Sequence, residues 1–228
     1  MENYSPVLTH ASVEERTDFY KKTYTHVALA VLAFIGVEAL LYNLVPVETI
    51  QLMFSGKFTW LFILGLFWLG SFMADRFAFS ADRNTQYLGL GLYVILQAVI
   101  FLPMIYMAML YSGFEMINQA AIITLAMFGG LTAVVFMTNA DFSFLRTAIV
   151  VGGFIALGLI VAGAIFGFNL GLWFSVGMVV LASASILYQT TQIRDQFNTT
   201  QYVGAALQIF ASLMILFWYI LRIFMSRD

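Results

Sequence analysis

The chain has 228 residues, 62% hydrophobic and 10% charged, with a net charge of −2 at pH 7 and no cysteine; its mean hydropathy is +0.91. A soluble domain carries about a quarter charged residues, so this composition belongs in lipid. The small net charge leaves no footprint for nucleic acid, and the lack of cysteine excludes disulfides, thiolate catalysis and sulfur-bound metals.

Residues 1–23 mix both signs of charge (Glu14, Glu15, Arg16, Asp18, Lys21, Lys22) and lead into a full-length apolar run. That is not the layout of a signal peptide; the segment reads as a polar N-terminal tail or an interfacial stretch. Seven apolar runs follow, at 24–45, 58–79, 87–110, 117–138, 145–166, 171–189 and 203–224. Each is near the ~20 residues that cross a bilayer. Residues 24–228 therefore read as one all-α, seven-helix transmembrane domain. The links are short, with Pro46 in the first, Asp82, Arg83 and Asn84 in the second, and Asn139, Ala140 and Asp141 in the fourth. Successive spans must be antiparallel neighbours. The shortest link, 167–170, makes the fifth and sixth a hairpin.

Lys and Arg placement sets orientation. One side receives Arg16, Lys21, Lys22, Arg76, Arg83, Arg146 and Arg194; the other receives Lys57, Arg222 and Arg227. The N-terminus is then cytoplasmic, and an odd number of spans puts the C-terminus outside. Six spans plus a re-entrant segment would instead bring both ends to one side. In the fifth span Gly152, Gly153, Gly158 and Gly163 are small enough for close helix approach, as is the run from Ala182 to Ser185 in the sixth. Packing within the bundle is their expected use.

Charge at mid-membrane costs a few kcal/mol and usually has a partner. Glu38 is the deepest charge, about 21 Å into the first span at 1.5 Å per residue. Arg222 lies in the same half of the membrane, which makes Glu38 and Arg222 a candidate ion pair; the alternatives are an Arg222 that snorkels and a Glu38 that is protonated or faces water. Asp75, Arg76, Asp82 and Arg83 read as an interfacial cluster or as a basic lid over an inner cavity. In the seventh span Gly204, Gln208 and Ser212 recur at helical spacing, a polar stripe suited to a bundle interior. Gln189 and Gln192 lie at a similar depth. Gln189, Ser212, Gln208, Gln192 and Arg76 are the candidate lining of one inward-facing pocket, with interhelical hydrogen bonding as the plainer reading of the same residues.

The two histidines, His10 and His26, precede or start the first span. They rule out a buried haem or His-ligated zinc site. Neither H-E-x-x-H nor G-x-S-x-G occurs. Lysines occur only at 21, 22 and 57, too early for a late-span Schiff base. With no nucleophile–base pair and no metal cluster, an enzyme is not expected, nor a cofactor.

The run Ser183-Ala-Ser-Ile-Leu-Tyr-Gln-Thr-Thr-Gln-Ile193 resembles the sixth-span signature of the Bax inhibitor-1 family. Tyr202-Val-Gly-Ala-Ala-Leu and Phe217-Trp-Tyr-Ile-Leu-Arg222 resemble its last span, and Asp141-Phe-Ser-Phe-Leu145 its loop after the fourth. The closing Ser226-Arg227-Asp228 is similar to the end of the bacterial YccA branch. The resemblance implies six helices wrapped around a central seventh, in a bacterial inner membrane. It also implies two activities. Some members are pH-sensitive calcium leaks, whereas the YccA branch binds and modulates FtsH, a membrane-anchored ATP-dependent protease, through its N-terminal tail. The leak members carry an aspartate in each of the last two spans. Gln189 and Ser212 match those positions here, and neither can share a proton as a carboxylate pair does. Calcium wants 6–8 oxygens, usually with anionic ones among them. The expected function is therefore modulation of membrane protein quality control or stress survival, with the bilayer and an FtsH-type protease as partners. The alternative is a pH-sensitive calcium or cation leak, with weak cation passage still open.

Overall fold

The computed structural model describes residues 8, 11–54, 57–138 and 140–226; His10, Asn139, Arg227 and Asp228 lie outside them. Eight α-helices occur among the described residues: α1 (Val13–Leu44), α2 (Val47–Phe54), α3 (Lys57–Ala78), α4 (Arg83–Ser112), α5 (Phe114–Thr138), α6 (Leu145–Phe166), α7 (Gly171–Asp195) and α8 (Tyr202–Met225). All but α2 contain a stretch long and apolar enough to cross a membrane, so the all-α, seven-span reading holds. α1 starts well before the expected 24. The Ser12 hydroxyl accepts from the Glu15 amide while the Glu15 carboxylate accepts from the Ser12 amide. This capping box satisfies two donors that a bare helix end leaves orphaned. α2 was not expected. It is a short helix after Pro46 that packs on α3 and α4.

α8 is the hub, packed against α1, α3, α4, α5 and α7. In its most apolar stretch 78% of residues are buried, against 11% in α6, which packs on α7 and α3 at the periphery. Lipid gives helices no hydrophobic reason to associate, so close fit must bring them together. Gly204, Ala205 and Ala206 are all buried at the start of α8 and let its neighbours approach. A Cβ on Gly204 would lie 2.6 Å from the Phe79 ring. Deeper in, Phe101 of α4 stacks on Phe217 of α8 and takes Trp218 and Phe34 edge-on, which ties α1, α4 and α8 together. The glycines of α6 divide. A Cβ on Gly152 would meet Leu181 of α7 at 2.8 Å, while Gly153 and Gly158 look onto open space.

The segment before α1 is docked. Leu8 is fully buried and its amide donates to the Phe197 carbonyl; Phe19, one turn and more into α1, joins the same cluster with Ile193, Ala205 and Ile209. The charged side chains of this stretch face outward: Glu14, Asp18 and Lys21 are all exposed. The charges before α4 hold the loops. Asp82 caps α4, and the Thr85 hydroxyl and amide keep its carboxyl below the usual carboxylate range. Arg83 donates to the Thr200 carbonyl and covers the Tyr202 ring. It thus pins α4 to the α7–α8 turn.

At the same end, Arg194 of α7 donates to the carbonyls of Val135 (2.9 Å) and Ala140 (3.2 Å) and grips Asp195 with two bonds of 2.8 Å. Val135 lies in the last turn of α5, where carbonyls lack intrahelical partners. Arg194→Ala leaves those carbonyls unpaired. At ~1.5–3 kcal/mol for a hydrogen bond to a charged group, we expect a loss of about 2 kcal/mol. Thermal unfolding in detergent should show the melting temperature falling by roughly 5 °C, with Arg194→Lys recovering only part of it.

Candidate functional site

α7 and α8 run side by side, joined by a short turn. Gln189 lies about 9 Å from the end of α7 and Ser212 about 15 Å from the start of α8, at 1.5 Å per residue. They are therefore about one helical turn apart in depth, in the half of the bundle where the seven basic residues gather. Ser212 is buried, 3% exposed, on the central helix. Gln189 is half-buried, and its Oε1 is inaccessible and without a hydrogen-bond partner. Gln208 is half-buried one turn before Ser212. Two of the other expected lining residues point elsewhere. Gln192 donates to the Ser143 hydroxyl in the α5–α6 link at 3.4 Å. Arg76 is exposed, its guanidinium 4.5 Å from the Phe72 ring centre. An arginine on the outer face of α3 keeps its hydration and covers an aromatic ring there; inside the bundle it would lose both.

Sequence reasoning missed three further residues beside this recess. The Tyr24 hydroxyl of α1 faces the hydroxyls of Thr132 on α5 and Thr190 on α7 without reaching hydrogen-bonding geometry. All three oxygens are buried, and a buried polar group left unpaired costs about 1–3 kcal/mol. One of these residues carries a signal in the sequence, since Thr132 is a polar position inside an otherwise apolar run. Their convergence depends on three separate helices. The unpartnered oxygens of Gln189, Tyr24, Thr132 and Thr190 are thus all neutral groups. Among the described residues no group of three or more His, Asp or Glu could hold a metal ion.

A cavity of about 370 Å³ opens in the opposite half, between α1 and α5, with α8 and α4 behind it. Glu38 lines it, 7% exposed, with neither carboxylate oxygen hydrogen-bonded. The expected pair with Arg222 is not formed: the ion pairs among the described residues are Lys22–Asp18 and Arg194–Asp195. The reason is rotational. Arg222 shares the face of α8 that carries Trp218, which packs on Trp60 of α3 and Phe101 of α4. The face of α8 toward Glu38 carries Leu213, Met214 and Phe217. His26, at the basic end, is an interfacial residue. Its Nδ1 donates to the Lys22 carbonyl at 2.7 Å, which leaves Nε2 to accept from the Tyr87 hydroxyl at 3.3 Å.

The chain matches, over residues 16–228, the family model described as inhibitor of apoptosis-promoting Bax1. It is 34% identical over 146 residues to an uncharacterized protein of Pseudomonas aeruginosa, covering 64% of this chain and 62% of that relative's length. The matched region therefore spans less than two thirds of the relative.

Proposed function

Given that this chain belongs to the Bax inhibitor-1 family of multi-pass membrane proteins, we propose that it is a membrane-embedded regulator that acts by binding other membrane proteins, an FtsH-type protease among them. Its seat is the bacterial inner membrane, with the basic end of the bundle in the cytoplasm. The observation that carries this reading is the chemistry of the central recess. Gln189 and Ser212 put an amide and a hydroxyl where a proton-gated leak needs two carboxylates. What the basic end does offer is a docked first helix with an outward charged face. Glu14, Asp18 and Lys21 recur on that face at helical spacing, and a rim of such charges steers partner choice and encounter.

Removing the whole of 1–23 would strip Leu8 and Phe19 from the core, so the test uses surface charges only. The triple variant Glu14→Lys, Asp18→Lys, Lys21→Glu breaks the exposed Lys22–Asp18 pair, worth ~0.2–0.5 kcal/mol, and should melt within about 3 °C of the native protein. It should lose protease co-purification about tenfold, the equivalent of ~1.4 kcal/mol. Undiminished co-purification, or protease substrate turnover that does not change when this protein is deleted, would count decisively against the reading.

A second reading, a weak leak of monovalent cations, draws support from the unpaired oxygens of Gln189, Tyr24, Thr132 and Thr190. Neutral oxygens replace the shell of a monovalent ion far more readily than that of calcium. In liposomes at pH 6 and pH 8 the native protein should pass little calcium, with little difference between the two.

A further inference from the structure

Among the described residues Glu38 is the one charged residue that lines the cavity between α1 and α5. It is more than nine-tenths buried and both of its oxygens lack partners. A lone ionised carboxylate in apolar surroundings is costly, so it either takes up a proton or is met by a cation or a strong donor. Among the described residues no cation pairs with Glu38 and no donor reaches its oxygens. Arg222 shares the face of α8 that carries Trp218, and the Asn43 amide donates to the Ala39 carbonyl. Tyr42 and Asn118 add polar groups to the lining, and the Thr124 hydroxyl donates to the Ala120 carbonyl; the remaining walls are hydrocarbon and aromatic, with Phe34 on α1 and Phe217 on α8. Aromatic faces attract an ammonium group. Ile35 and Leu125, on the two helices that flank the opening, are both more than half exposed, so the cavity gives sideways onto lipid. Its volume falls in the ~300–1,000 Å³ range of small-molecule sites.

We infer that this cavity is a binding site for an amphiphilic amine: an ammonium group that pairs with Glu38 and a hydrocarbon chain that fills the space between α1 and α5. Shape and charge agree on this class. A hydrated metal ion would leave the apolar walls without a partner, and an alkane would leave the carboxylate without one. Two sources share the chemistry, a free amphiphilic amine and the headgroup of an aminophospholipid. The site is independent of the protease reading, since it lies at the other end of the bundle from the charged face of α1.

The test uses the full-length protein in phosphatidylcholine nanodiscs, with decylamine and decanol as probes. A ligand that binds only the native state raises the melting temperature; saturating decylamine should raise it by roughly 5 °C, and decanol should not. Glu38→Gln should abolish the shift. Ala121→Leu, which keeps the carboxylate and fills the cavity from α5, should abolish it too and serves if the first variant folds poorly. Equal shifts for amine and alcohol, or an undiminished shift in either variant, overturns the site. Phosphatidylethanolamine in the nanodisc identifies the source. If it suppresses the decylamine shift the headgroup is the occupant, and if it leaves the shift intact a free amine is; both results uphold the site.

Discussion

Gly89→Val should be the most damaging single substitution outside the aromatic core. α4 crosses α3 at this glycine so closely that a Cβ would stand 2.5 Å from the Ala78 amide nitrogen and 2.6 Å from the Ala74 carbonyl oxygen. Both are backbone atoms, so no rotamer change can relieve the clash; α3 as a whole must move away. Overpacking commonly costs ~1–3 kcal/mol where side chains can yield, and here they cannot. The expected loss is about 3 kcal/mol or more, which for a chain of this size lowers the melting temperature by roughly 10 °C. Gly91 is the internal control. It lies two residues on, in the same helix, with nothing within 4 Å of its would-be Cβ. Gly91→Ala should be neutral or stabilise by up to ~1 kcal/mol, since alanine is the better helix former. Thermal unfolding of both variants in one detergent decides the matter. Equal behaviour would mean that α3 and α4 do not pack as described.

The second large effect is a gain of function. The double variant Gln189→Asp, Ser212→Asp should acquire calcium flux in liposomes, and that flux should change between pH 6 and pH 8. Two carboxylates in one recess repel each other as anions and share protons, so their charge responds to pH over a broad window. They also provide the anionic oxygens that calcium needs. Each single variant should do much less, because one carboxylate cannot form a coupled pair. The change has a stability cost. An aspartate at mid-membrane is unfavourable by ~2.5–3.5 kcal/mol on insertion scales, and Ser212 is buried on a helix that packs against five others. Folding must therefore be checked by melting before flux is read. A folded double variant that passes no calcium would show that the recess does not join the two sides, and the leak reading would fall with it.

Some of this was readable from residue order. The span at 145–166 coincides with α6 (Leu145–Phe166), because Asp141 at one end and Gly167 at the other are local stop signals. The Asp141 carboxylate accepts from the Ser143 amide, and Gly167 takes the left-handed backbone that ends a helix. The early start of α1 was also readable. Ser12 and Glu15 are the S-x-x-E pair of a capping box, but hydropathy alone gives no weight to a charged first turn. α2 was harder, being too short to register as a span. The polar stripe of α8 pointed correctly to a central helix, since Ser212 is buried and α8 touches five other spans. The partners of individual polar residues were a different matter. Arg76 and Gln192 lie at plausible depths for the recess yet face outward and toward Ser143. Glu38 and Arg222 share a half of the membrane yet lie on surfaces that do not meet.

Membrane residence, seven crossings and the neutral pair Gln189 and Ser212 are properties of chain segments, and the sequence by itself determined them. Hydropathy and identity need no neighbour to be true. Which side chains converge depends on how each helix is rotated about its axis and how closely its neighbours approach, and only the tertiary structure decided that. A rotation of one residue, about 100° at 3.6 residues per turn, moves a side chain from lipid to interior without changing its depth. Depth is written in the residue count; facing is set by packing, through contacts such as Gly89 against α3 and Trp218 against Trp60. That is why the carboxylate of Glu38 emerged alone in a cavity rather than beside an arginine.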